Sequence, residues 1–321
     1  MKILIQFPEG LKDKVFDYAK ELEKEGNEVY IDAHPTFGAC DLAIDEAKML
    51  KVDKLIHFGH AEYGHDRLPK DLGFEIEYNE YKIDAPLDLL PGSLEYLKGY
   101  NVIGLVTTIQ HQHQLKDIKE FYEKNGKSIK IGKPYGLARR EGQVLGCDVG
   151  SATTIDKDVD AFVYFGGGVF HPLGAVIATT KPFLIIDPFN GEVKFIDYMR
   201  EQYSKRRKGL IMSSLNAKKF GILVSTKNGQ YNKALADLLK KKIESFGLQA
   251  EILITNTFDF GSIDNMIDID AFVNTACPRI AIDDIDRVRK PLLDANELME
   301  VLKIKEDSNK LKEMAESGSQ S

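Results

Sequence analysis

The chain has 321 residues and a formal net charge of −7, from 43 Lys+Arg against 50 Asp+Glu. That balance argues against a protein that coats nucleic acid, whose phosphate contacts need clustered positive charge. With 43% apolar and 29% charged residues, wholesale disorder and fibrous structure are excluded, and a chain of this length should divide into two or three domains.

In chain order, Ile3-Leu4-Ile5 is a short buried strand, preceded by no apolar signal core, so a cytoplasmic protein is expected. Leu11, Val15, Ala19 and Leu22 recur at helical spacing and lead to Gly26, where a helix end needs a positive φ. A strand from Glu28 to Ala33 follows, then the loop Pro35–Ala39, Cys40, a helix from about Asp41 to Lys51, and the strand motif Val52-Asp53-Lys54-Leu55-Ile56-His57-Phe58-Gly59. The pattern then returns twice. Val102 to Val106, the helix with Leu115, Ile118 and Tyr122, Gly126, and Val159-Asp160-Ala161-Phe162-Val163-Tyr164-Phe165-Gly166 form the second copy. Gly221 to Val224, the helix with Leu235, Leu239, Ile243 and Phe246, Gly247, and Ile269-Asp270-Ala271-Phe272-Val273-Asn274 form the third.

The three aspartates are 107 and 110 residues apart, close to a third of the chain. A further strand follows the Asp motif, as in Phe183-Leu184-Ile185-Ile186. The uncharged run from Ala161 to Thr180 holds Gly166, Gly167, Gly168, Pro172 and Gly174, so it is expected as strand plus Gly-rich loop and not as a membrane span. Alternating strands and helices predict three related small parallel-sheet α/β domains, spanning 1–97, 98–212 and 213–321, arranged around a pseudo-threefold centre. Polarity rises near Pro91 to Tyr100 and from Ser204 to Lys219, where boundaries are expected, and the basic run Lys205–Lys208 is expected as a solvated helix end or linker. The tail Glu316 to Ser321 is expected to be frayed.

Three cysteines are too few for a disulfide scaffold. Cys40 and Cys147 each precede their motif aspartate by 13 residues, whereas in the last third that offset lands on Thr257 and the cysteine is Cys277, just after the strand. All three fall in turn-like, charge-flanked loops after strands, where parallel sheets gather ligands. Two readings stand: isolated cysteines acting as small hydrophobes, or a three-thiolate site at the meeting point of the three domains.

Phe37-Gly38-Ala39-Cys40-Asp41, Ile56-His57-Phe58-Gly59-His60, Thr107-Thr108-Ile109-Gln110-His111-Gln112-His113, Ser225-Thr226-Lys227-Asn228-Gly229-Gln230 and Asn274-Thr275-Ala276-Cys277-Pro278-Arg279 together resemble the archaeal diphthamide synthase family, the 2-(3-amino-3-carboxypropyl)histidine synthases. The resemblance spans nearly the whole chain, departing after His60, where Ala61-Glu62-Tyr63 stand in place of a small polar residue or cysteine. It implies a non-classical radical enzyme in which Cys40, Cys147 and Cys277 bind a [4Fe-4S] cluster that leaves one iron open for S-adenosylmethionine. It further implies a homodimer that transfers a 3-amino-3-carboxypropyl group to a histidine of archaeal elongation factor 2, with a reductant as further partner. Within it, Arg279 is the candidate for the cosubstrate carboxylate, an ion pair with Asp283 or Asp284 being the alternative. Gln230, His60, Gln110 and His113 are candidate polar contacts, with helix capping or ordinary structural roles as alternatives; His111 shares the loop of Gln110 and His113. An iron-sulfur electron-transfer or redox-sensing protein without a substrate is the other functional class the cysteines allow.

Overall fold

The computed structural model describes residues 1–63, 68 and 71–318. It divides into two compact units, Met1–Arg200 and the chain from Glu201 onward.

The first unit contains two sheets. Strands β1 (Lys2–Gln6), β2 (Glu28–Ile31), β3 (Lys54–Phe58) and β4 (Glu75–Asn79) are all parallel, in the order β2-β1-β3-β4. Strands β5 (Val102–Thr107), β6 (Ser128–Lys130), β7 (Ala161–Phe165), β8 (Phe183–Asp187) and β9 (Glu192–Phe195) run β6-β5-β7-β8-β9, with only β9 antiparallel. The second unit holds β10 (Lys219–Ser225), β11 (Gln249–Thr255), β12 (Ala271–Asn274) and β13 (Leu292–Leu293), parallel in the order β11-β10-β12-β13. One strand order thus occurs three times, and each sheet has a switch point between its first and third strands, the kind of position where open parallel sheets gather ligands.

The motif aspartate is repeated because it fastens the sheet. Asp53 accepts from the Lys2 N–H at 2.7 Å, Asp160 from Asn101 and Val102 at 2.9 and 2.8 Å, and Asp270 from Lys218 and Lys219 at 2.8 and 2.9 Å. Each thereby caps the start of the strand beside it, and these backbone donors lower the carboxyl pKa of Asp160 and Asp270. A second repeated pair is one of volumes. Gly104 faces Phe162 and Gly221 faces Phe272 across neighbouring strands, and a Cβ on either glycine would come within 2.5 and 2.8 Å of the ring. The first sheet solves the same space with Leu4 opposite Leu55.

The amphipathic helices are Val15–Lys24, Leu115–Lys124 and Lys233–Glu244, which bury Val15 and Ala19, then Leu115, Ile118 and Tyr122, then Ala236, Leu239 and Ile243. Each large apolar side chain so buried contributes about 1.5–3 kcal/mol relative to exposure. Gly26, Gly126 and Gly247 end these helices at φ of 84°, 79° and 70°, as their spacing predicts.

Several segments differ from, or add to, their expected form. The polar segment near Pro91 is the helix Leu90–Tyr96, which buries Leu90 and Ser93. From Phe170 to Ala178 the Gly-rich run is helical, Pro172 being tolerated in the first turn where its missing N–H costs no bond. Lys205–Lys208 lies inside the helix Tyr198–Ser213, and Arg207 is only 5% exposed. The tail is helical through Gly318, in a helix beginning at Ala295 that burial of Leu298, Val301 and Leu302 holds to the core; residues 319–321 lie outside the described residues. Among the described residues no helix is long and apolar enough to cross a membrane.

Candidate functional site

Cys40 lies in a turn four residues before the helix Ile44–Leu50, so the helix starts later than its sequence suggests. The turn closes through the Asp41 N–H donating to Gly38 C=O at 2.9 Å, with the Phe37 N–H donating to the Asp41 carboxylate at 3.3 Å. Beneath it Gln6, at the end of β1, bridges both sides of Leu42: its Nε2 donates to Asp41 C=O at 2.7 Å and its Oε1 accepts from the Ala43 N–H at 3.3 Å. His57 on β3 has no exposed surface; its Nδ1 is 2.9 Å from Gln6 Oε1 and its Nε2 is 3.0 Å from His60 Nδ1. Burial drives His57 well below its ordinary pKa and His60 down to about 4, against a smaller opposing pull from the Phe58 carbonyl on His60. A Cβ built on Gly38 would sit 3.6 Å from Cys40 Sγ and 3.8 Å from His60 Nε2, so a thiol and an imidazole both approach this glycine.

Cys147 is exposed on a bend that Asp148 pins from beneath. Its carboxylate accepts from the Leu137, Ala138 and Gly150 amides, the last two at 3.1 and 2.9 Å. The other candidates of this unit are committed to the fold. Gln110 donates to Gly59 C=O at 2.5 Å, His113 Nε2 is 2.8 Å from the Asp84 carboxylate, and His111 Nδ1 is 3.0 Å from Ile83 C=O, with burial lowering the His111 pKa. A cleft of about 700 Å³ opens along the β4 edge between Tyr78, Tyr81 and Arg140, and neither cysteine lines it.

In the second unit Cys277 follows β12. Its carbonyl accepts from Asn274 Nδ2 at 2.8 Å and from the Ile280 N–H at 3.1 Å, which fixes the loop. Burial pushes its thiol pKa up, while the backbone N–H and charge of Arg279 pull the other way. Arg279, 4% exposed, grips Asp283 through Nε and Nη2 at 2.7 and 2.6 Å, so the ion pair weighed as its alternative is formed. Gln230 is 9% exposed on the loop after β10, the first strand at this switch point. Three residues of the two sites carry roles the sequence did not single out: Gln6, His57 and Lys227, whose Nζ donates to Asn256 Oδ1 at 3.1 Å while the side chain is 7% exposed. Lys227 sits in the quoted Ser225–Gln230 motif, but its burial depends on Asn256 at the end of the neighbouring strand.

Within either unit no three described His, Cys, Asp or Glu side chains are grouped to hold an ion, and the cysteines divide two and one between the units. Each nonetheless occupies a loop following a parallel strand. Thiol donors of this kind suit a cuboidal iron-sulfur cluster, which binds thiolates.

Three parallel-dominated sheets sharing one strand order, each with a cysteine-bearing loop after one of its strands, define a triplicated α/β protein. The chain belongs to the diphthamide synthesis protein family, whose model matches residues 7–313. It is 34% identical over 308 residues to the 2-(3-amino-3-carboxypropyl)histidine synthase of Pyrococcus horikoshii, covering 95% of this chain and 87% of that one. The Methanocaldococcus jannaschii protein of the same name is 30% identical over 320 residues, covering 94% and 84%. The crystal structure of Dph2 from Pyrococcus horikoshii with a 4Fe-4S cluster superposes with a TM-score of 0.83 at 33% identity, over 94% of this chain and 86% of that one.

Proposed function

We propose that this protein catalyses the first step of diphthamide biosynthesis, moving a 3-amino-3-carboxypropyl group from S-adenosylmethionine to a histidine of elongation factor 2 in the cytoplasm, as a homodimer. The observation that carries the reading is chain-long similarity to two archaeal 2-(3-amino-3-carboxypropyl)histidine synthases, in a chain whose three cysteines all sit on strand-following loops. Cys40, Cys147 and Cys277 are the cluster ligands in this reading. When bound, the cluster supplies the electron, drawn from an external reductant, that cleaves the bond between sulfur and the aminocarboxypropyl carbon of the cosubstrate.

The protein's own work is to bind, orient and exclude water. Asp283 orients the Arg279 guanidinium through Nε and Nη2, and in this reading Arg279 is the residue for the cosubstrate carboxylate. Gln230, buried at the same switch point, is the polar neighbour for that arm, and His60 serves the arm beside Cys40. Gln110 and His113 hold Gly59 and Asp84 and so support the loops instead of touching the cosubstrate.

The test is an anaerobic incubation of the reduced, iron-loaded protein with S-adenosylmethionine and archaeal elongation factor 2. The factor should gain one 3-amino-3-carboxypropyl group and methylthioadenosine should accumulate. Accumulation of 5′-deoxyadenosine, or an unmodified factor alongside an intact cluster, refutes the proposal.

A further inference from the structure

The second sheet ends on its antiparallel strand, β9, and the backbone there can be read group by group. The Ile196 N–H donates to Phe183 C=O at 2.9 Å, and because Leu184 lies opposite Phe195 these two residues face each other directly. Antiparallel residues alternate between bonded and open pairs, so Glu192 and Lys194 turn their N–H and C=O toward β8, while Val193 and Phe195 turn theirs outward. The side chains divide by face. Val193 and Phe195 pack on the core cluster that includes Leu90 and Leu97, whereas Glu192 and Lys194 stand on the other face, 44% and 43% exposed and paired at 2.5 Å. A groove of about 530 Å³ follows the outer edge, with residues 191–194 as one wall and Gly92 and Tyr96 of the helix Leu90–Tyr96 on the other.

We propose that β9 pairs antiparallel with β9 of a second copy of this chain, Val193 opposite Val193, so that the two five-stranded sheets become one. The proposal rests on the homodimer reading above and gives that dimer its surface. Charge selects both the partner and the register. Among the described residues the outer strands are β2, β4, β6, β9, β11 and β13, and only β9 carries both signs of charge. A two-fold pairing centred on Glu192 or on Lys194 sets like charges face to face, which opposes it, and one centred on Phe195 leaves Lys194 opposite the apolar Ile196. Centred on Val193, Glu192 of each copy meets Lys194 of the other, and the two Val193 residues exchange both backbone hydrogen bonds. Such an isologous contact closes after two copies. Its axis runs normal to the sheet, so both Leu90–Tyr96 helices flank the seam on one face, where Tyr96 is 45% exposed and Gly92 has open space in place of a side chain.

The experiment is sedimentation velocity on the full-length protein and its variants. The unaltered chain should sediment as a dimer at micromolar concentration. Lys194→Glu and Glu192→Lys each set like charges across the seam, so each should weaken self-association about 10-fold or more. Neither variant retains the Glu192–Lys194 pair within its own strand, so mixing the two reads the seam alone: an equal mixture should form mixed dimers about as tight as the unaltered ones. Gly92→Arg, which fills the groove from a position where a Cβ meets nothing within 4 Å, should also weaken the dimer without changing the circular dichroism of the chain. Charge variants that dimerise like the unaltered chain, or a mixture no tighter than its components, overturn β9 as the surface while the homodimer stands. A monomeric unaltered chain overturns the homodimer reading together with the seam.

Discussion

Replacing Glu297 with Ala should destabilise the second unit by about 4–6 kcal/mol, from two roles that one carboxylate performs. Glu297 and Arg207 are 8% and 5% exposed and pair through both carboxylate oxygens and the guanidinium Nε and Nη2. Removing one partner of a buried ion pair leaves the other charge uncompensated, at about 3–5 kcal/mol. Glu297 also completes a reciprocal cap on the helix Ala295–Gly318. Its Oε2 accepts from the Asp294 N–H at 2.7 Å while its own N–H donates to Asp294 Oδ1 at 2.9 Å, an arrangement worth about another 1 kcal/mol. The damage should reach the cysteine loop, because Arg207 Nη1 donates to Ala281 C=O at 2.7 Å, inside the short helix that follows Cys277. Urea unfolding of the metal-free protein measures the loss, and hydrogen exchange at Ile280–Asp284 should rise with it. Combining Glu297→Ala with Arg207→Met removes the stranded charge, so the double variant should be more stable than Glu297→Ala alone. A loss below about 1 kcal/mol at unchanged denaturant slope, or a double variant worse than the single, refutes the buried-pair account.

Cys40→Ala, Cys147→Ala and Cys277→Ala should each lose stable iron, because two thiolate anchors hold a cubane poorly; normal anaerobic iron content in any one removes that residue from the ligand set. Arg279→Lys should keep its iron but bind S-adenosylmethionine more weakly, since lysine retains charge without the fork that grips Asp283 and a carboxylate together; iron loss with unfolding would assign Arg279 to structure alone. Folded His57 and His60 refuse protons that the unfolded chain accepts, so stability of the metal-free protein should be fully present above about pH 6.5 and fall as pH drops toward the His60 value of about 4. For His60 alone the loss over that window is on the order of 3 kcal/mol, and urea titrations at several pH values should show a shallower slope in the His57→Gln/His60→Gln variant; an unchanged slope assigns the pH dependence elsewhere.

The repeat was legible because its marks are local and chemical. An aspartate before a hydrophobic run is written into the sequence wherever a neighbouring strand start needs its N–H groups capped, and a glycine must stand where the preceding helix turns left-handed. What escaped depends on distant partners. The run Lys205–Lys208 looks solvated by composition, yet Arg207 is buried because Glu297, 90 residues on, meets it. The helix that carries Glu297 has a readable capping signature, Asp294 followed three residues later by Glu297, but its apolar face is confined to Leu298, Val301 and Leu302 before the sequence turns polar.

The cysteine register is where sequence and structure together say most. Cys40 and Cys147 share an offset that Cys277 breaks, and the sheets explain the break: the first two follow the second strand of their sheets, β2 and β6, whereas Cys277 follows β12, the third strand of its own. Seven residues beyond the motif aspartate stand His60 after Asp53 and Cys277 after Asp270, so the position that presents a thiol in the third sheet presents an imidazole in the first. That correspondence could have been counted from the sequence. The hydrogen-bonded chain from Gln6 through His57 to His60 could not, because it is anchored on the carbonyl of Asp41 and the amide of Ala43, backbone groups that carry no sequence signal. Only their distances from Gln6 hold that chain beneath the Cys40 turn.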